Sequence, residues 1–177
     1  MTQEITSQRI YDRIVGAKRP LFVIHKKPDG DAIGSALALA HWQEEAGCPA
    51  PVFCRDPAPG HYDFLSRFGN ITTDEEVFFQ PGIDLIVVLD SGDTAYAGVH
   101  EIFARLASSI SIINIDHHAT NQHYGELNLV DAGASSTAEV VYKFFTHNGV
   151  RVDKHMATAL LSGILTDTTN FTNPGTT

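Results

Sequence analysis

Aspartates and histidines gather at four places in the sequence: His25-Lys-Lys-Pro-Asp29-Gly-Asp31, Asp90 in Leu-Asp-Ser-Gly, Asp116-His117-His118, and Asp167 in Leu-Thr-Asp-Thr. Carboxylates and imidazoles without thiolates suit Mn, Mg, Fe or Co type divalent ions better than a structural zinc cluster. They are more donors than one ion needs. Two ions about 3.5–4 Å apart would use them all, and such a pair is a common device for hydrolysing phosphate esters. Asp29 and Asp31 flank Gly30 on a turn and could diverge toward different ions, with Asp90 as the natural bridge. Taken singly, each aspartate also fits a helix cap or a solvated turn. Only a fold that brings them together gives them one function.

The hydrophobic pattern predicts such a fold. Leu21–Ile24, Asp84–Leu89 and Ser111–Ile115 are short apolar runs bounded by turn signals, the pattern of buried strands, and Pro51–Cys54 suits a further short strand. Helices are expected from the spacing of Ile5, Ile10 and Ile14, over Ala32–Ala46 with Gly47 as the stop, over Ala95–Ala107, over Ser136–Thr146 and over Lys154–Leu165. Strands alternating with helices imply right-handed crossovers: an α/β fold, a mainly parallel sheet with helices on both faces. Each of the three strong strands runs directly into one of the polar groups. In open parallel sheets ligands bind beyond the carboxyl ends of the strands, so His25, Asp29, Asp31, Asp90 and Asp116–His118 should share one crevice.

With 177 residues, 43% of them apolar, the chain supports one well-filled core, and one domain is expected. Twelve Lys and Arg against 21 Asp and Glu give a net charge of -9, which excludes a general basic surface for holding a polyanion. A phosphate ligand would then need a local positive charge, which bound cations would supply. Cys48 and Cys54 suggest neither a disulfide framework nor a cysteine metal site and read as small residues near a strand. The N-terminus lacks the apolar run of a signal peptide, and no stretch reaches about 20 apolar residues, so a soluble, cytoplasmic protein with no membrane contact is expected.

The motifs resemble those of the DHH phosphoesterase family. His25-Lys-Lys-Pro-Asp29-Gly-Asp31-Ala-Ile-Gly-Ser35 is similar to its first motif, Asp90 in Val-Val-Leu-Asp-Ser-Gly-Asp to its second, Asp116-His117-His118 to its eponymous triplet, and Asp167 in Gly-Ile-Leu-Thr-Asp-Thr to its fourth. All four stand in the family's order and span Leu21–Phe171. The resemblance implies a Rossmann-like domain holding two ions, Mn by preference. His25, Asp29 and Asp90 would hold one ion, and Asp31, Asp90, His117 and Asp167 the other. A hydroxide between the ions would be the nucleophile, His118 would donate to a phosphoryl oxygen, and Asp116 would orient an imidazole.

Ala134-Ser-Ser-Thr-Ala-Glu-Val-Val-Tyr142 resembles the branch that degrades short oligonucleotides and dephosphorylates 3′-phosphoadenosine 5′-phosphate. Ser136 and Glu139 also form an ordinary capping box, with Ser135 or Ser136 as a possible extra anion contact. The resemblance further implies a glycine-rich partner domain that grips substrate. Because the sequence ends in Asn-Pro-Gly-Thr-Thr just after the fourth motif, the expected organisation is a catalytic domain over 1–177 without that partner. The expected function is hydrolysis of short oligonucleotides or a 3′,5′-bisphosphate nucleotide. An inorganic pyrophosphatase or polyphosphatase and a non-catalytic nucleotide sensor are the alternatives, and a homodimer is left open.

Other residues draw blander expectations. His41 and Trp42 should pack or face solvent, and His61, His100, His123, His147 and His155 should lie on the surface. Lys26 and Lys27 read as solvated loop lysines, and Phe78, Phe79, Phe144 and Phe145 as core rather than base-stacking platforms.

Overall fold

The computed structural model describes residues 2–172. The terminal Asn-Pro-Gly-Thr-Thr stretch, on which the expected lack of a partner domain rests, lies outside them.

Six parallel strands form one sheet: β1 (Pro20–Ile24), β2 (Val52–Cys54), β3 (Ile71–Thr72), β4 (Leu85–Leu89), β5 (Ser111–Asp116) and β6 (Leu127–Val130). Their spatial order is β3-β2-β1-β4-β5-β6, so the winding reverses between β1 and β4. The helices are α1 (Gln3–Gly16), α2 (Gly30–Glu45), α3 (His100–Phe103), α4 (Thr137–His147) and α5 (Lys154–Asp167). The α/β parallel architecture expected from the sequence is present.

Every residue of β1 and β4 is buried, because both faces of the central strands are covered. Phe22, Ile24, Val87 and Leu89 point into the larger core, shared with Ile10 and Ile14 of α1, Leu37 of α2, Phe144 and Phe145 of α4 and Leu160 of α5. Their neighbours Leu21, Val23, Ile86 and Val88 point to a smaller core with Phe53, Phe78, Val99 and Ile102. Four helices therefore cover one face, while α3 and a 3-10 turn at Glu75–Phe79 cover the other.

The stretch Ala95–Ala107 is helical only over His100–Phe103. Gly98 takes φ 73°, which interrupts a helix, and its carbonyl accepts from the Arg55 guanidinium rather than from a residue one turn on. Strands β3 and β6 were not expected, being too short or too weakly apolar to stand out. Helix α2 begins at Gly30, so Asp29 is its N-cap and Asp31 lies in its first turn, not on a free turn. Phe78, Phe144 and Phe145 are core, but Phe79 is 37% exposed and lies under the Arg105 guanidinium, 4.5 Å from ring centre to carbon.

Helices α2 and α5 approach through glycines. A Cβ on Gly34 would collide with the Ala159 carbonyl oxygen, and one on Gly163 would stand 2.7 Å from Ala138 Cβ and 2.9 Å from Asp31 Oδ1. This contact carries the end of α5 to the start of α2.

Candidate metal centre

A reversal of winding opens a crevice at the carboxyl edge of a parallel sheet, since the loops after the two central strands lead away in opposite directions. His25 follows β1 and Asp90 follows β4, so the two residues flank that crevice. The His25 ring is 3% exposed, and its Nδ1 lies 2.8 Å from the Lys26 carbonyl. That bond makes Nδ1 the donor and leaves Nε2 facing inward, 3.4 Å from Asp90 Oδ2 and 3.8 Å from Asp29 Oδ1. His117 repeats the arrangement: Nδ1 lies 3.3 Å from the Ala134 carbonyl, and Nε2 lies 3.8 Å from Asp90 Oδ1 and 3.7 Å from Asp167 Oδ2. An imidazole anchored by one nitrogen on a carbonyl is oriented to ligate with the other.

Asp90 has φ 55°, the left-handed region that costs a non-glycine residue energy and that aspartate tolerates better than most. The turn reverses the chain at the strand end and places the carboxylate, 2% exposed, between the two histidines. The start of α4 holds two carboxylates at once. Thr137 Oγ1 donates to Asp90 Oδ1 at 2.8 Å, while the Thr137 and Ala138 N–H groups donate to Asp31 Oδ2 and Oδ1 at 2.6 and 2.8 Å. These N–H groups are the ones a helix leaves unpaired, and they favour a carboxylate. Asp167 is the last residue of α5.

The six aspartates and histidines expected as ligands come together. His25, Asp29 and Asp90 offer atoms within 4.8 Å of one another, as do Asp31, His117 and Asp167, and so do Asp90, His117 and His118. Asp90 belongs to two of these groups, and His117 links them. The donor set contains no thiolate. Cys54, the nearby candidate, donates its Sγ–H to the His25 carbonyl at 3.2 Å, and burial pushes that thiol up to about 11.

Burial opposes charge on His25, yet the carboxylates of Asp29 and Asp90 prevail and push its pKa up to about 10. Burial, reinforced by the charge of Asp90, pushes Asp31 well above the usual carboxylate range. Asp167 is raised too, by burial and then by Asp90 and Asp29, against the pull of His117. Buried carboxylates crowded in this way repel one another unless a cation lies among them, so the site's own electrostatics fit divalent ions.

His118 is a different histidine. Its Nδ1 lies 2.7 Å from Asp116 Oδ1, and this bond, the largest influence, raises its pKa while the other edge of the ring stays half-exposed. Burial works against charge on Asp116, but His118 and Asn121 hold it below the usual range. Asn121 Nδ2 donates to Asp116 Oδ2 at 2.5 Å and to Asn114 Oδ1 at 2.7 Å. Asn114 in turn donates to the carbonyls of Val88 and Ser91 and to the Tyr124 hydroxyl. Sequence reasoning assigned no role to Thr137, Asn114, Asn121 or Tyr124. For Thr137 the signal was its place one residue after the cap Ser136; for the others the pattern held none.

Ser136 is fully buried, and its hydroxyl accepts from the Glu139 N–H as the cap of α4. The N–H and hydroxyl of Ser135 both donate to Glu139 Oε2. Both hydroxyls are thus engaged within the protein. His61, His100, His123, His147, His155, Lys26 and Lys27 are exposed. His41 is buried, its Nε2 lying 2.9 Å from Asp153, the N-cap of α5.

The profile of the DHH family, N-terminal domain, matches residues 21–164. A bifunctional oligoribonuclease and PAP phosphatase NrnA of Thermus thermophilus is 36% identical over 160 residues, covering 89% of this chain and 46% of that protein. A probable manganese-dependent inorganic pyrophosphatase of Streptococcus agalactiae is 27% identical over 165 residues, covering 86% of this chain and 49% of the other. The crystal structure of an exopolyphosphatase-related protein from Bacteroides fragilis shares the fold, with a TM-score of 0.87 at 23% identity over 98% of this chain and 53% of that one. The chain thus spans about half the length of the curated relatives it matches. With a matching profile over most of its length and the Asp116-His117-His118 triplet at the mouth of the crevice, the chain belongs to the DHH family through that family's N-terminal domain.

Proposed function

We propose that this chain is the metal-holding half of a phosphohydrolase that cleaves short oligonucleotides and 3′-phosphoadenosine 5′-phosphate. The observation that carries the proposal is the pair of ligand groups, His25–Asp29–Asp90 and Asp31–His117–Asp167, set side by side around one buried carboxylate. The 36% identity to an oligoribonuclease and PAP phosphatase supports the choice of substrate. His25, Asp29 and Asp90 would hold one ion, and Asp31, Asp90, His117 and Asp167 the other, with manganese preferred and Mg, Co or Fe acceptable to the same donors. When bound, such ions would supply Lewis acidity, lowering the pKa of water and withdrawing charge from the phosphoryl oxygens.

The chain's own groups do the rest. Thr137 and the first N–H groups of α4 fix the angles of Asp90 and Asp31. Asp116 holds the His118 ring by Nδ1, which leaves Nε2–H to donate to a phosphoryl oxygen as charge develops there. Grip on the rest of the substrate would fall to residues beyond this site, and the curated relatives are about twice the length matched here.

The test is a Mn-loaded protein offered di- to pentanucleotides, 3′-phosphoadenosine 5′-phosphate and pyrophosphate, as this chain and as this chain extended by the C-terminal half of the Thermus relative. The expected result is turnover of the nucleotide substrates, lost in Asp90→Ala and His117→Ala. Preference for pyrophosphate would move the chain to the reading favoured by its 27% identical relatives. Nucleotide binding without turnover in either form would leave a sensor domain.

A further inference from the structure

Tyr96 stands apart from the other exposed aromatic residues. Its ring is 45% exposed, yet it stacks on His25, a buried member of the metal centre, with centroids 4.8 Å apart and planes 27° from parallel. One face is taken by the histidine, and nearly half of the residue's surface is left to solvent. The residue is also fixed in place. Its N–H donates to Asp93 Oδ1 at 2.6 Å, and its carbonyl accepts from the Lys26 N–H at 3.4 Å, tying the turn after β4 to the loop after β1. A lone exposed tyrosine on a mobile loop needs no explanation. A tyrosine held at both backbone ends, with its ring laid over a ligand histidine, borders the place where the reacting phosphate must lie.

We infer that Tyr96 is the platform on which the base of a nucleoside phosphate stacks while its phosphate occupies the metal centre. The inference rests on the proposed function and narrows its substrate class. A π-face attracts a base without using charge, which matters in a chain of net charge -9 whose crevice is lined by aspartates. Every base offers such a face, so the contact is tolerant of sequence, as cleavage of mixed short oligonucleotides requires. Pyrophosphate has nothing to place there. Because the segment after β4 supplies both Asp90 and Tyr96, the phosphate and base positions are set by one stretch of chain.

The experiment compares adenosine 5′-monophosphate with ribose 5-phosphate, which differ by the base alone, on the full chain loaded with Mn2+. Dissociation constants come from calorimetry, and the adenine protons are followed by NMR. The wild type is expected to bind the nucleotide about tenfold or more tightly than the sugar phosphate, with upfield shifts of the adenine protons. Tyr96→Phe should keep that ratio, and Tyr96→Leu should bring it near one while Mn2+ affinity is held. Equal binding of the two probes by the wild type overturns the inference, as does a ratio that survives Tyr96→Leu. A Tyr96→Leu protein that loses Mn2+ and both probes alike also overturns it, assigning Tyr96 to the support of His25 instead. Since no turnover is read, the result stands apart from the hydrolysis panel: a chain that cleaves nucleotides but shows no base-dependent binding loses this inference alone.

Discussion

Thr137 donates its hydroxyl to Asp90, joining the first residue of α4 to the turn after β4. The bond uses one oxygen of Asp90 and leaves the other toward His25, so the threonine sets which way the shared carboxylate faces. Thr137→Val keeps the shape and removes the donor. It is expected to weaken Mn2+ binding about tenfold or more, as loss of a partner behind a ligand usually does. Thr137→Ser should restore most of the affinity. Calorimetric Mn2+ titration of the three proteins checks this, and unchanged affinity in Thr137→Val would show that Asp90 is oriented by other contacts.

The approach of α2 to α5 makes a prediction about stability. Gly34→Ala places a methyl against the Ala159 carbonyl and should destabilise the fold by about 1–3 kcal/mol. Gly16, the last residue of α1, has nothing within 4 Å of such a methyl and no positive φ. Gly16→Ala should therefore stabilise, by about 0.5–1 kcal/mol. Chemical denaturation of both variants reads the opposite signs, and a harmless Gly34→Ala would mean the helices have room to part.

Asn121 acts at one remove from substrate, through Asp116 on His118. Asn121→Ala frees Asp116 and is expected to lower kcat about tenfold while Mn2+ affinity stays within twofold, an effect on the size scale of one oriented donor. Steady-state kinetics on a dinucleotide and a metal titration separate the two. A parallel fall in both would place Asn121 in the support of His117 instead.

Acid stability should depend on a residue far from the crevice. Burial opposes charge on Asp153, but the Met156 N–H, His41 and the His155 N–H outweigh it and hold its pKa below the usual value of 3.8. A carboxyl depressed in the folded state stabilises it fully above the unfolded pKa and loses that contribution as pH falls through the folded one. Asp153→Asn should thus destabilise the fold at about pH 6, modestly because the side chain is 42% exposed and screened by solvent, and progressively less below about pH 4. Thermal unfolding across that range tests it. A gap between the two proteins that does not narrow in acid would remove charge from the account.

Much of the site was legible because its residues sit where strands end. The runs before His25 and Asp90 are apolar at every position, as a strand buried on both faces requires, the run before Asp116 is mostly so, and the change to charged residues marks the carboxyl end of each. Asp31 was placed correctly beside the crevice but on the wrong kind of segment, because Gly30 reads as a turn and is instead the first residue of α2. The partners of the ligands were not legible. Asn114 lies mid-strand on β5 and bonds to residues 23 and 26 positions earlier in the chain, contacts that only the folded sheet creates. The helix expected over Ala95–Ala107 failed at Gly98, whose carbonyl Arg55 claims from a distant loop.

The reversal between β1 and β4 is also a seam. On one side lie β1, β2 and β3, on the other β4, β5 and β6, and the two halves of the sheet are laced together by the ladder from Pro20–Leu85 to Val23–Val88. His25, Asp29 and Asp31 belong to the first half and Asp90 and His117 to the second, while Asp167 reaches over from α5. Cations held among them would rivet the sheet at the carboxyl end of this seam. Chelation would then be a mechanical event as well as a chemical one, removing a polar fastening at the edge of a join that the two cores and the backbone ladder hold from below.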